Sequence, residues 1–215
     1  LEIGEFIEVP KEIVKERIEK LHKMRKEGIN PYPNKFEIKD ISVELNYKHG
    51  KLKSGEKSKY KAKLAGRLMN FRDFGKIAFG VLYDGHGKIQ VTLQAKDTPE
   101  KVFKSFKEFI DVGDFIGVEG IVHRTERGEL SILVNKVDIL SKSILPLPEK
   151  WHGLQDDEER LRKRYLDILT SPETREMFVK KAKFWQSIRT FLLEKGFLEV
   201  ETPVLENSAG GASAK

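Results

Sequence analysis

The 215-residue sequence predicts an α+β protein organised around a five-stranded barrel. Three observations carry that expectation. Five strand-like runs fall between residues 60 and 140, and a single amphipathic helix interrupts them after the third. Further amphipathic helices lie on both sides of the set, near residue 10 and beyond residue 156. The predicted organisation is an N-terminal helix with a basic connecting segment (1–58), the barrel (59–141), a linker (142–156) and a second α/β region (157–215).

The first helix spans Pro10 to Gly28, with Val14, Ile18 and Leu21 on one stripe and Ile13 and Met24 beside it. Gly28 supplies a C-terminal cap and Pro31 stops continuation. A helix this short is not stable alone, so its stripe must dock. Residues 30–58, with two prolines and few apolar side chains, read as an irregular connection.

Strands are expected at Tyr60–Phe71, Lys76–Asp84, Lys88–Ala95, Asp114–Glu126 and Glu129–Leu140. Gly85-His86-Gly87 forms a tight hairpin. In the third strand Ile89, Val91 and Leu93 alternate with Gln90, Thr92 and Gln94, the pattern of a half-buried strand. In the fifth, Leu130, Ile132 and Val134 alternate with Glu129, Ser131 and Leu133. The intervening helix opens at Thr98-Pro99, with Thr98 as cap and proline at the first turn, and presents Val102, Phe106 and Phe109 on one face. Three strands, a helix and two more strands is the order of an OB-fold barrel.

Pro146 and Pro148 mark the linker. A charged helix from Asp156 to about Leu169 has acids first and bases later, as the helix dipole prefers. Pro172 opens the longest helix, which ends at Gly196 and carries Phe178, Ala182, Trp185, Ile188 and Leu192 on one stripe. A short strand, Phe197 to Val200, runs into Thr202-Pro203.

Composition narrows the function. Hydrophobic residues make up 39% and charged residues 34%, which suits a globular protein with a polar surface. No apolar run approaches the roughly 18 residues of a membrane-spanning helix, so no membrane role is expected. Cysteine is absent, which excludes disulfides and cysteine-ligated zinc and agrees with a cytoplasmic protein. The histidines at 22, 49, 86, 123 and 152 never fall at ligand spacing, so no metal site is expected. A net charge of +6 points to a polyanionic partner. Residues 34–63 carry nine lysines against four acids, which reads either as a solvated loop or as a phosphate-contacting stretch.

Three segments then carry a family resemblance. WHGLQDDEERLRKRYLDIL from Trp151, with its Arg164-Tyr165-Leu166-Asp167, resembles the linker of class II lysyl-tRNA synthetases. GFLEVETPVL from Gly196 resembles motif 1 of that class, and the Gly-Gly-Ala run after it resembles the lysine-specific branch. AGRLMNFRDFGKIAF at 65–79 and RGELSI at 127–132 are similar to the family's anticodon-binding pattern. The resemblance implies a tRNA(Lys) anticodon reader joined to the opening of a catalytic domain, in an enzyme that ligates lysine to tRNA through lysyl-adenylate. It implies ATP and Mg2+ for the full-length enzyme only. Motifs 2 and 3 have no counterpart before Lys215, so the chain reads as truncated: no catalytic residue or cofactor is expected within it, and it should not activate an amino acid by itself.

The resemblance also implies site residues. A uridine reader needs an aromatic platform, an amide donor and a carboxylate acceptor, because uracil presents an N3–H between two carbonyls. Phe79, Gln90 and Glu129 match those roles, and Arg72 and Arg67 on the first strand match RNA-contacting arginines. The residues alone support Gln90 and Glu129, which fall on polar strand faces. They do not support Phe79, since its register with Ile77, Val81 and Tyr83 would by period bury all four. His123 and Arg124 are weaker candidates. By the same resemblance Phe197, Val200 and Pro203 belong to a homodimer interface, and Gly210 and Gly211 lie beside the lysine pocket. Gly80, at a core-facing position where the family has a larger residue, is expected to loosen the second strand. The alternatives are an aspartyl- or asparaginyl-tRNA synthetase, or a non-catalytic OB-fold RNA-binding module. A lysyl-transfer domain of a lipid-modifying membrane protein is disfavoured by the absence of a membrane segment.

Overall fold

A computed structural model describes residues 11–148 and 156–205. The chain divides into two units, Leu1–Leu147 and Pro148–Lys215.

In the first unit, α1 (Lys11–Lys26) and α2 (Ser42–His49) precede β1 (Lys57–Asp73), β2 (Ile77–Tyr83) and β3 (Lys88–Gln94). Then come α3 (Glu100–Phe109), β4 (Phe115–Arg124) and β5 (Leu130–Ser141). The strands close into a barrel in the order β1-β2-β3-β5-β4, with β3 and β5 parallel and the other pairs antiparallel. The long β1 pairs with β4 along its first part and with β2 along its last. Leu64, Leu68, Leu82, Val91, Ile116, Val118, Val122, Ile132 and Val134 fill the interior, and Phe106 of α3 closes one end.

Small side chains decide which face of β2 points inward. Ala78, Gly80 and Leu82 are buried, while Ile77 and Tyr83 are exposed and Phe79 and Val81 half-exposed. A Cβ at Gly80 would lie 2.8 Å from Leu68 Cδ1 and 3.0 Å from Val91 Cγ2. The expected loosening at Gly80 is therefore corrected: its neighbours already fill the space.

The α1 face differs from the expected stripe. Arg17, Leu21 and Met24 are buried, whereas Ile13 and Ile18 are exposed. Arg17 turns inward because its guanidinium meets three carbonyls, donating to Ser143 O at 2.9 Å, Leu145 O at 3.3 Å and Val112 O at 3.0 Å. Lys20 reinforces this docking through Asp111 at 2.8 Å. Below it, the fully buried Lys142 ammonium binds Phe109 O at 2.8 Å, Asp114 at 2.8 Å and Asp111. Burial pushes the Asp114 carboxyl up against the opposing pull of Lys142. At Asp111 burial acts in the same upward sense, yet hydrogen bonds from Lys142 and Lys20 hold its pKa below the usual value.

Helix α2 replaces part of the predicted irregular connection. Its first turn is capped from a distance: Ser42 N and Oγ donate to Asp84 at 2.5 and 2.9 Å, and only Leu45 is an apolar buried residue. Asp84 also accepts from His86 N and Gly87 N in the hairpin. Thr98 does not cap α3. Pro99 holds the cap position, and Thr98 Oγ1 accepts from Gln94 N at 3.1 Å.

In the second unit the predicted charged helix is broken into α4 (Asp157–Arg162) and α5 (Arg164–Thr170) at Lys163, whose ψ of 46° leaves the helical region. Asp156 caps α4, accepting from Glu159 N at 2.7 Å. The break brings Asp167 inward, where it accepts from Arg160 at 3.2 Å, Arg164 at 2.5 Å and Thr174 at 3.4 Å. Helix α6 (Pro172–Glu194) starts on the Ser171 cap and ends at Gly196, whose φ of +85° favours glycine. The expected strand at 197–200 is absent: these residues have no regular secondary structure and pair with no strand among the described residues.

Candidate nucleic-acid interface

The β1-β2-β3-β5 wall gathers most of the predicted site on its outer surface. Arg72 of β1 stands directly opposite Phe79 of β2, which sets their Cβ atoms about 5 Å apart. Phe79 is opposite Thr92, and Gln90 lies two residues along β3 on the same face, a diagonal of about 7–8 Å. Gln90 in turn is opposite Ser131 of β5. Its Nε2 donates to Ser131 Oγ at 2.9 Å, and Ser131 Oγ donates to the Glu129 carbonyl at 3.2 Å.

That relay fixes the amide of Gln90 through a buried hydroxyl and ties it to the backbone of Glu129. The Glu129 side chain is exposed, just past the turn where Thr125 N donates to Glu129 O at 2.9 Å and Glu129 N donates to Thr125 Oγ1 at 3.1 Å. Gln90 keeps a second N–H and its carbonyl oxygen for a ligand. The surface thus offers a guanidinium opposite a ring face, an amide one diagonal away, and an exposed carboxylate at the turn that leads into β5.

Phe74 is a residue that sequence reasoning missed. It sits in the β1–β2 turn, 68% exposed, edge-on to Phe79 with ring centroids 6.1 Å apart. An exposed ring beside a half-exposed one at one end of an OB wall suits base stacking. The only signal in the sequence was an aromatic residue inside a turn, next to a glycine.

Arg67 does not join this row. It pairs with Tyr83 rather than Phe79, its guanidinium lies 4.2 Å above the Phe115 ring, and it donates to Gly113 O at 3.0 Å. Burial lowers its pKa, with Asp114 acting against that shift.

Residues 62–140 match the family model described as an OB-fold nucleic acid binding domain, and residues 156–215 match the model of class II tRNA synthetases (D, K and N). The last 60 residues are thus similar to class II tRNA synthetases. It is 46% identical over 201 residues to a lysine–tRNA ligase of Dehalococcoides mccartyi, covering 93% of this chain and 40% of that protein. It is 44% identical over 204 residues to a lysine–tRNA ligase of a Synechococcus species, covering 95% of this chain and 42% of the relative. A lysine–tRNA ligase of a Nostoc species is 42% identical over 206 residues, with 93% and 37% covered. The chain thus spans about two fifths of the length of the relatives it matches.

Against this family frame the two weaker candidates have other tasks. His123 is buried and shares a 2.7 Å hydrogen bond with Thr92 Oγ1. Burial, then the charge of Lys57, pulls its pKa below the ordinary value, so the ring is held neutral beneath the Gln90–Ser131 pair. Arg124 is committed to the carbonyls of Gly128 at 2.5 Å and Gly50 at 2.7 Å.

In the synthetase-like second unit, Phe197, Val200 and Pro203 are all exposed. So are Trp185, Ile188 and Leu192 of α6, while Phe178 is half-buried near the Arg164 guanidinium. Gly210 and Gly211 lie outside the described residues. Among the described residues no helix is long and apolar enough to cross a membrane, and no group of three His, Asp or Glu side chains is placed to hold a metal ion.

Proposed function

We propose that this chain supplies the anticodon-reading surface of a lysine–tRNA ligase. What supports this reading is the placement of Arg72, Phe79, Gln90 and Glu129 on one wall of the barrel, in a chain whose relatives are named lysine–tRNA ligases. In the proposed complex Phe79, edged by Phe74, stacks on the central anticodon uridine. The free amide N–H of Gln90 donates to a uracil carbonyl, and the Glu129 carboxylate accepts from N3–H. Cytosine presents an acceptor at N3, so a fixed carboxylate repels it and leaves a group unpaired. Arg72 donates to a phosphate or to a base edge beside the ring.

The full enzyme would ligate lysine to tRNA(Lys) through lysyl-adenylate, with ATP and Mg2+ held by segments beyond this sequence, as a cytoplasmic homodimer. The Phe197–Pro203 segment and the exposed stripe of α6 would lie in the dimer interface. Gly210 and Gly211 would approach the lysine pocket.

A competition assay tests the lysine assignment. Stem-loops with lysine, asparagine and aspartate anticodons share the central uridine and differ in flanking bases. Preference for the lysine loop is expected, and Phe79→Ala should weaken binding of all three, because its ring stacks on the uridine they share. Equal affinity for all three would leave a reader of the central uridine alone, and preference for another loop would move the chain to the aspartyl or asparaginyl branch.

A further inference from the structure

The lysine-rich run is not a free loop. Residues 50–56 are stitched to the β4–β5 turn, which is the turn that leads into Glu129. Gly55 N donates to Arg124 O at 3.0 Å, and Arg124 N donates to Glu56 O at 2.9 Å. The Arg124 guanidinium bridges the two loops through Gly50 O and Gly128 O. Gly55 adopts a φ of +77°, a conformation that favours glycine, and lies beside the Glu126 carboxylate.

The barrel register extends the same surface. Gln90 is opposite Ser131, Ser131 opposite His123, and His123 opposite Lys57. Three strand spacings separate Gln90 from Lys57, about 14 Å around the wall. One row along, Ile121 is opposite Lys61. Lys51, Lys53, Lys57, Lys59, Lys61 and Arg127 are all exposed along this edge.

Acidic neighbours offset part of this charge, with Glu126 beside Gly55 and Glu129 past the turn among them. Lys57 pairs with Asp97 at 3.2 Å, and Glu56 is occupied by the backbone N–H of Lys53 at 2.8 Å. Among the described residues, Lys51, Lys53, Lys59 and Lys61 are in no ion pair. Lysine ammonium groups on flexible stems act as point charges, suited to phosphates at variable positions rather than to one planar base edge.

We propose that Lys51, Lys53, Lys59 and Lys61 form a phosphate-binding ridge that grips the backbone of a single-stranded RNA where it leaves the Gln90–Glu129 end of the base-reading surface. The inference rests on the reading that this surface binds RNA. The ridge itself is indifferent to base sequence.

The test uses the 215-residue chain and a stem-loop RNA with the lysine anticodon, together with the same RNA carrying cytidine for the central uridine. Affinity is measured from about 50 to 200 mM salt. Each lost phosphate contact on a single strand lowers the slope of log affinity against log salt by about 0.7, so Lys51→Gln, Lys53→Gln and Lys59→Gln together should lower it by about 2. Replacing Lys180, Lys181 and Lys183 of α6 by Gln removes the same charge elsewhere and should leave the slope unchanged. The uridine-to-cytidine affinity ratio should survive the ridge substitutions, and Arg at the three ridge positions should restore the slope. Far-UV circular dichroism checks that each variant is folded.

An unchanged slope, or an equal fall in the α6 control, overturns the ridge. Collapse of the uridine-to-cytidine ratio in the ridge variant overturns its indifference to sequence. If the parent chain shows no ratio at all but loses slope only in the ridge variant, the base-reading assignment fails while the ridge stands.

Discussion

Replacing Lys142 by Met should remove much of the barrel's stability. The Lys142 and Asp114 side chains are both fully inaccessible to solvent. The ammonium satisfies Phe109 O, Asp111 and Asp114 together, while Asp114 also accepts from Asp111 N and Ser143 N. Methionine fills the space of the stem but leaves a buried carboxylate without its counter-charge. Breaking such a pair by removing one partner costs about 3–5 kcal/mol, against a typical domain stability of about 5–15 kcal/mol. For a unit of this size that corresponds to a fall in Tm of roughly 10–20 °C.

Both tryptophans, Trp151 and Trp185, lie past residue 148, so their fluorescence would not report barrel unfolding. The assay is urea denaturation of the chain followed by far-UV circular dichroism. The sign of the pH dependence is a further check. Burial already raises the Asp114 pKa, and losing Lys142 raises it more. A carboxyl with a raised folded pKa favours the fold when protonated, so the penalty should shrink as pH falls through that pKa. Adding Asp114→Asn should recover at least half of the loss, because the two sites are coupled. A loss below about 1 kcal/mol at neutral pH would refute the view that this buried cluster holds the barrel end.

Three other outcomes follow from the same structure. Gly80→Val should destabilise the barrel by about 1–3 kcal/mol by overpacking Leu68 and Val91, read from the urea midpoint. His123 is held neutral with its pKa below 6.5. Stability should therefore fall as pH drops below about 6.5, where the unfolded histidine gains its proton first, and His123→Gln should flatten that fall. The exposed Trp185, Ile188 and Phe191 of α6 should make the chain associate with concentration in sedimentation velocity, and Ile188→Lys should shift it toward monomer.

Much of the barrel was legible because its strands carry period-2 signals bounded by Gly85, Gly87 and Gly128, and a helix at one diagnostic place. What escaped depends on distant partners. Helix α2 is capped by Asp84 from the β2–β3 hairpin, a contact forty-two residues away that no local cap signal announces. Arg17 takes the place of Ile18 on the buried face of α1 because three carbonyls outside the helix await its guanidinium. Apolar alternation would have buried Phe79 on the heavier face of β2, but a narrow barrel between Leu68 and Val91 admits Ala78 and Gly80 instead. Resemblance to the synthetases implied the outward orientation that period alone did not. Ser131 and Leu133 read as an open face of β5 yet are buried, with Gln90 lying over Ser131 and donating to its hydroxyl. The strand expected after Gly196 needs a neighbour to complete its ladder, and local pattern cannot supply one.

The measurement that bears most directly on the account is the affinity of this chain for a lysine anticodon stem-loop against the same loop with its central uridine replaced by cytidine, at one physiological salt concentration. Discrimination of about 1–3 kcal/mol, roughly 5- to 150-fold, is expected, lost on Glu129→Ala and on Phe79→Ala. Equal affinity for the two loops, falling steeply with salt, would contradict it and leave a basic OB barrel that binds RNA without reading the base.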